Sequence, residues 1–261
     1  MTSAETPVLE TRNLTRRFGG YSAVSNVDLM IRRGTIHAII GPNGAGKTTL
    51  FNLMTGVLPP TEGQIIIDGV DVSGSRPDSI ARRGVVRTFQ GVRLFPSMTA
   101  LENVEVGRFS RTHGGFLAAL ARVPGLATPT EATTRRRSEE LLERVGLSAQ
   151  RHMLATDLAL ADQRRLEVAR ALAVDPKLLL LDEPVAGMNP VEVQEAAKLF
   201  KSLLDDGITI LITEHHMSLV MAVSDVVSVM NYGRKIAEGP PEAVRRNPEV
   251  LAAYLGTETA A

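Results

Sequence analysis

The sequence contains no cysteine among its 261 residues. Disulfides, thiolate metal sites and thiol catalysis are thereby excluded, and the chain suits a reducing compartment. Long hydrophobic runs are missing as well. No apolar stretch approaches the roughly 18–20 residues that a membrane helix needs. Met1–Pro7 carry none of the charged and apolar pattern of a secretory signal. The expectation is a soluble, cytosolic protein that reaches a membrane only through partners. Neither sign of charge is in excess. Lys and Arg total 29 and Asp and Glu total 29, which argues against general nucleic-acid binding. No internal repeat and no low-complexity segment is visible. What remains is a chain that is 44% hydrophobic, long enough to bury one substantial α/β core and a smaller subdomain.

Residues Gly41–Thr49 read GPNGAGKTT and satisfy G-x-x-x-x-G-K-[ST] with Gly41, Gly46, Lys47 and Thr48. The apolar run Ile36–Ile40 precedes them as a strand, and Leu50–Met54 follow as early turns of a helix. That strand–loop–helix context makes the motif a phosphate site. Glycine lets backbone N–H groups face phosphate oxygens without Cβ clashes, and a helix N-terminus adds positive potential. Lys47 is placed to reach β- and γ-phosphates and Thr48 to ligand Mg²⁺. Asn43, Gly44, Ala45 and Thr49 complete the expected binding set. The bland alternative is a glycine-rich turn without ligand, but a lysine at that position needs an anion.

Leu178–Leu181 followed by Asp182-Glu183-Pro184 reads as a buried strand ending in two carboxylates. Consecutive leucines suit a parallel strand covered on both faces. At its carboxyl end Asp182 is placed to hold Mg²⁺ through water, and Glu183 to orient and deprotonate an attacking water. A helix start is the rival, with acids near the dipole and Pro184 in the first turn. Taken alone the two are comparable, and the phosphate loop in the same chain favours the first.

The organisation falls into three parts. Val8–Gly34 and Gln64–Gly69 read as strands of an antiparallel subsheet. A mostly helical region runs from Val85 to about Val174. Strands resume with Leu178–Leu181, Ile208–Thr213 and Val226–Met230, and their alternation with helical stretches predicts a mostly parallel core sheet. Gly233–Gly239 reads as a turn and short strand, and Pro241–Gly256 as terminal helices. Arg108–Arg137 holds six arginines (108, 111, 122, 135, 136, 137) against Glu131 alone. It reads either as a solvated loop and helix face or as a contact with lipid headgroups or a membrane subunit.

These motifs resemble those of the nucleotide-binding subunits of ABC (ATP-binding cassette) transporters, over nearly the whole chain. The resemblance implies an α/β P-loop NTPase fold of ABC ATPase type, with a single nucleotide-binding domain over 1–261. Within that domain lie a helical subdomain at about 85–174 and a C-terminal tail at about 233–261. It implies that Phe18, in Arg17-Phe18-Gly19-Gly20, stacks on adenine. Gln90, in Thr88-Phe89-Gln90, matches the glutamine that touches Mg²⁺ and senses the membrane subunit. Ala186-Gly187-Met188-Asn189-Pro190 matches the loop that crosses the dimer interface, with Asn189 among the nucleotide contacts. His215, in Thr213-Glu214-His215, matches the histidine on the γ-phosphate, and His216 reads as a bystander.

More finely, the chain resembles the longer of two ATPase subunits in bacterial importers of branched-chain (hydrophobic) amino acids. Arg87–Phe95 (RTFQGVRLF), Gln163–Leu172 (QRRLEVARAL), the stretch between Gly107 and Gly146, and the tail carry that likeness. The tail residues are Glu238-Gly239, Pro241-Glu242, Asn247–Val250 and Ala253–Gly256. ATPases that import urea or amides, or that extract lipopolysaccharide, share much of it. The resemblance implies two ATP molecules sandwiched between this chain and a second ATPase subunit, in a heterodimer or a homodimer. It also implies two transmembrane permeases, docked near Gln90–Phe95 on Arg93, Leu94 and Phe95. A solute-binding protein acts indirectly, and the complex lies on the cytoplasmic face of the inner membrane.

One motif departs from the family pattern. Its signature is Leu-Ser-Gly-Gly-Gln, and the aligned residues here are Leu158-Ala159-Leu160-Ala161-Asp162. Ala159 has no hydroxyl for the γ-phosphate, Ala161 adds a Cβ where backbone approaches nucleotide, and Asp162 brings a carboxylate toward a phosphate. Asp162 also suits a helix start. The altered motif raises the alternative of a regulatory subunit that binds ATP without turning it over, whereas intact Lys47, Glu183 and His215 argue for hydrolysis. A repair or translation ATPase would need a second cassette, a coiled coil or a basic surface. A kinase or GTPase on this fold would lack the Asp182-Glu183 pair and His215.

Overall fold

A computed structural model describes residues 6–108 and 129–255. The chain divides into two compact units. One joins Met1–Gln90 to Lys177–Ala261, and the other is Gly91–Pro176.

The first unit opens with strands β1 (Leu9–Phe18) and β2 (Tyr21–Ile31), an antiparallel hairpin closed by Gly19-Gly20. Gly19 has a φ of 56°, the positive value that a two-residue hairpin turn requires. Along β2, Val27, Leu29 and Ile31 are buried while Asp28 and Met30 are exposed, the period of a strand with one face on the core. Strand β3 (Ile36–Ile40) leads into helix α1 (Lys47–Met54). Then come β4 (Glu62–Ile67), β5 (Val70–Asp71), α2 (Pro77–Arg82) and β6 (Val85–Arg87). The antiparallel subsheet has the order β2-β1-β4-β5.

The second unit holds α3 (Ala100–Arg108), α4 (Pro129–Arg144) and α5 (Leu160–Leu172). Short 3-10 turns at Ser148–Gln150 and Ala155–Asp157 connect the last two. Fully buried Asn103 organises the loop before α3. Its Oδ1 accepts from Phe95 N at 2.8 Å, and its Nδ2 donates to the carbonyls of Phe95 at 3.1 Å and Thr99 at 3.0 Å. On α4, Arg135 pairs with Glu139 at 3.4 Å, and Arg136 and Arg137 pair with Glu140 at 3.6 and 3.1 Å. That part of the arginine-rich stretch is a solvated helix face laced by surface pairs. Arg111 and Arg122 lie outside the described residues, as does Gly256 of the tail.

Returning to the first unit, the chain supplies β7 (Leu178–Asp182), α6 (Pro190–Asp205), β8 (Thr209–Thr213) and α7 (Met217–Val223). It ends with β9 (Val226–Asn231), β10 (Arg234–Gly239), α8 (Pro241–Arg245) and α9 (Pro248–Leu255). The core sheet runs β10-β9-β3-β8-β7-β6, parallel except for β10 against β9. Every residue of β3, β7 and β8 is buried, as expected for parallel strands covered on both faces.

Val85–Arg87 departs from the expected helical region. It is an edge strand, with Val85 opposite Leu178 and Arg87 opposite Leu180, and the second unit begins at Gly91. Three residues are too few to show a period-2 pattern. The strand is held by pairing with β7 and by Gly84 O, which accepts from Lys177 N at 2.8 Å and Leu178 N at 3.0 Å.

Candidate functional site

The carboxyl ends of the parallel strands gather the reactive side chains. Ile39 of β3 lies opposite Thr213 of β8, and Thr213 opposite Asp182 of β7. The loop after β3, the acids after β7 and the histidine after β8 therefore emerge together, where open α/β sheets bind ligands.

The loop after β3 admits only glycine at its two anchor points. A Cβ on Gly41 would lie 2.1 Å from Met230 O, and one on Gly46 2.3 Å from Ala23 O. Gly46 also has a φ of 99° and opens α1. The first turn of α1 has no side-chain cap and no acid, so its N–H groups remain for an anion. Asn43, Gly44 and Thr48 are exposed, Ala45 is buried, and Thr49 is half-buried. The Lys47 ammonium folds back over the loop, donating to Gly41 O at 2.6 Å and Pro42 O at 3.1 Å. Burial pulls its pKa down, and the charges of Glu183 and Asp182 oppose that pull.

Asp182 closes β7 as a strand residue, and no helix begins at Pro184; the helix-start alternative falls away. Its carboxylate is buried. Oδ1 accepts from Thr213 Oγ1 at 2.6 Å and Oδ2 from Arg87 Nη2 at 2.6 Å. Arg87 Nη1 donates to Asn52 Oδ1 of α1 at 2.5 Å. Its guanidinium also lies 5.4 Å from the Phe51 ring and 5.5 Å from the Phe89 ring.

Glu183 has a φ of 48°, a left-handed conformation that costs a side-chain-bearing residue about 1–2 kcal/mol. Its N–H donates to Thr213 O at 3.0 Å, which helps hold it there. Its Oε2 accepts from Gln90 Nε2 at 2.9 Å, and His215 Nδ1 stands 3.9 Å from Oε1. Lys47, Asp182, Glu183, Gln90 and His215 thus fall together.

Two residues with no role foreseen from sequence shape this cluster. One is Arg87. The other is Glu214, fully buried, whose Oε1 accepts from Val185 N at 3.3 Å and Oε2 from the N–H groups of His215 at 3.0 Å and His216 at 3.2 Å. Its carboxylate ties the turn after Glu183 to the turn carrying His215. The signal was an acid directly after the strand Thr209–Thr213, whose apolar centre points to burial, and a buried charge must find donors. His216 is the N-cap residue before α7, its ring 4.8 Å from that of His215.

Two further expected contacts have partners of their own. Phe18 ends β1 in the antiparallel subsheet, exposed, with the Arg16 guanidinium 4.7 Å from its ring centroid. Asn189 caps α6: its Oδ1 accepts from Val191 N and Glu192 N at 2.9 and 3.1 Å, while its own N–H donates to Glu192 Oε2 at 2.8 Å. That capping box commits the amide oxygen to the helix.

In the second unit, Ala159 occupies the N-cap of α5 without a side-chain bond. Leu158 and Ala161 are buried, and Ala159 and Leu160 are exposed. The Ala161 methyl is therefore packed inward, leaving Ala159 and Asp162 as the chemical departures at the helix start. Asp162 lies 3.6 Å from Arg165 Nη1.

Thr48, Gln90 and Asp182 offer hydroxyl, amide and carboxylate oxygens, a donor chemistry that fits Mg²⁺. Among the described residues, no group of three or more His, Cys, Asp or Glu could hold a metal ion. A divalent ion here fits the class that completes its shell with substrate phosphates and water.

Comparison with known proteins agrees with this geometry. Residues 24–186 match the family model described as ABC transporter, and residues 234–260 match that of branched-chain amino acid ATP-binding cassette transporter. The high-affinity branched-chain amino acid transport ATP-binding protein BraF of Pseudomonas aeruginosa is 45% identical over 251 residues, covering 96% of this chain and 98% of that protein. A solved ATP-binding cassette of an ABC transporter in its ADP conformation has a TM-score of 0.84 at 31% identity, covering 96% of this chain and 99% of that one. A dimeric cassette in a post-hydrolysis state, bound to ADP and Pi, has a TM-score of 0.72 at 27% identity, covering 89% and 98%.

Proposed function

This chain belongs to the ABC transporter family, and on that premise we propose that it binds and hydrolyses ATP to power a membrane importer of branched-chain amino acids. The observation that carries the reading is the carboxylate of Glu183, bonded to Gln90 and 3.9 Å from His215, beside a phosphate loop anchored by backbone-locked glycines.

In this reading the loop N–H groups and Lys47 hold the β- and γ-phosphates, and Phe18 stacks on adenine. Thr48 and Gln90 would offer oxygen ligands to Mg²⁺ and Asp182 would hold it through water; the ion would supply positive charge against the phosphates. Glu183 orients the attacking water and takes its proton, while His215 donates toward the γ-phosphate. The bond from Gln90 orients the Glu183 carboxylate in advance of substrate.

The substrate class rests on the tail match and on the identity to the Pseudomonas protein, which together favour amino acids over urea, amides or lipopolysaccharide. No described helix is long and apolar enough to cross a membrane. The chain works as a dimer of ATPase subunits with membrane permeases. We assign it a second, different ATPase as its partner, two permeases, an indirectly acting solute-binding protein, and a place on the cytoplasmic face of the inner membrane.

Reconstitution with these partners in vesicles tests the reading. ATP hydrolysis should rise when the binding protein carries leucine, isoleucine or valine, and Lys47→Ala should abolish the response while leaving the far-UV circular dichroism unchanged. Stimulation by urea or short amides alone would overturn the substrate class. Full turnover in Lys47→Ala would overturn the ATPase site.

A further inference from the structure

We propose that Arg87 is a built-in counter-cation for Asp182, which keeps divalent metal weakly held until nucleotide brings its phosphates. The proposal rests on the ATPase reading of the site and adds a residue that positions its metal ligand.

Arg87 sits at the end of edge strand β6, with its side chain 7% exposed and that of Asp182 4% exposed. Its Nη2 donates to Asp182 Oδ2 at 2.6 Å and its Nη1 to Asn52 Oδ1 of α1 at 2.5 Å. The planar fork thus ties the strand carrying the metal-side carboxylate to the helix that follows the phosphate loop. Phe51 and Phe89 flank the guanidinium. Arg87 Nε is buried and makes no hydrogen bond, so two ion and amide contacts and two ring contacts hold a desolvated cation. Burial at that expense needs a compensating anion, and Asp182 is that anion.

The consequence concerns charge. Without a neighbouring cation, a buried carboxylate would attract a divalent ion from solution. Arg87 already satisfies Asp182, and Thr213 Oγ1 donates to its other oxygen at 2.6 Å. Each oxygen keeps a lone pair for a metal-bound water, but the electrostatic demand is met. Nucleotide phosphates then have to supply the extra negative charge that draws metal in. A lysine at position 87 would keep the charge but lose the two-armed bridge to Asn52.

The test is Mn²⁺ binding, followed by electron paramagnetic resonance, to nucleotide-free wild type, Arg87→Gln, Arg87→Lys and the double variant Arg87→Gln/Asp182→Asn. Arg87→Gln should bind Mn²⁺ more tightly than wild type, on the order of tenfold or more. Arg87→Lys should stay near wild type, and the double variant should lose the gain. Where Arg87→Gln is unfolded without metal, millimolar-range Mn²⁺ should restore the folded protein, because the ion replaces the missing cation. Unchanged Mn²⁺ affinity in folded Arg87→Gln, or no rescue of the unfolded variant, would overturn the proposal. Wild type that fails to retain Mn²⁺ even with ATP would instead overturn the ATPase reading itself.

Discussion

At the level of one residue, the proposed mechanism turns on Glu183. Its backbone is left-handed and its carboxylate accepts from Gln90, and in that mechanism the carboxylate acts on water rather than in binding. Replacing it with glutamine keeps the size and an oxygen acceptor for Gln90 but removes the base. Glu183→Gln should therefore retain ATP affinity, lose turnover by orders of magnitude, and run as an ATP-bound dimer in gel filtration with Mg²⁺. Wild-type turnover in this variant would remove Glu183 from the mechanism. The phosphate loop and Asp182-Glu183 were legible in sequence because their spacing expresses a local backbone requirement. Arg87 and Glu214 were not. Their meaning lies in partners 95 and 29 positions away along the chain, which no local pattern encodes.

Among the elements, β3 shows how a polar residue enters an otherwise apolar strand. His37 is 1% exposed, and its Nε2 lies 2.9 Å from Ser228 Oγ of β9. Ser228 Oγ donates to Glu238 Oε2 of β10 at 2.7 Å, and Lys235 Nζ donates to the same oxygen at 2.9 Å. The serine proton is committed to Glu238, so neutral His37 is the donor to Ser228. Burial pulls the His37 pKa from 6.5 down to about 4, against the upward pull of Glu238. The unfolded chain then takes up a proton between those values that the folded chain refuses. Stability contributed by neutral His37 is complete above pH 6.5 and falls as pH drops toward 4, by about 3 kcal/mol. Burial pushes Glu238 up, but bonds from Lys235 and Ser228 outweigh it and hold its pKa below the usual 4.5, so its own loss begins at lower pH. Urea melts from pH 7 to 4.5 should show the slope in wild type and a flatter profile in His37→Gln. Equal slopes would refute the assignment. The same scale explains the reading of β6: the five- and six-residue core strands β3, β7, β8 and β9 announced themselves by mostly apolar runs, and a three-residue edge strand did not.

For the whole molecule, the departure at the start of α5 matters most. In a sandwich of two different ATPase subunits, this chain's phosphate loop faces the partner's signature, and the partner's loop faces Ala159 and Asp162. Ala159 leaves the N-cap without a hydroxyl donor, and Asp162 adds negative charge near a γ-phosphate. The first site should hydrolyse well and the second poorly. Glu183→Gln in this chain should then remove most of the ATPase activity of the assembled complex, while the matching change in the partner should remove much less. A homodimer would carry the defect at both sites, so the isolated chain should be slow. The combined change Ala159→Ser, Ala161→Gly and Asp162→Gln should raise its rate. The inward packing of Ala161 predicts that Ala159→Ser with Asp162→Gln gives most of that gain without touching position 161. Steady-state ATPase assays decide the matter: equal losses from the two glutamate variants, or no gain from restoring the signature, would mean that both sites fire alike and that the altered helix start is silent.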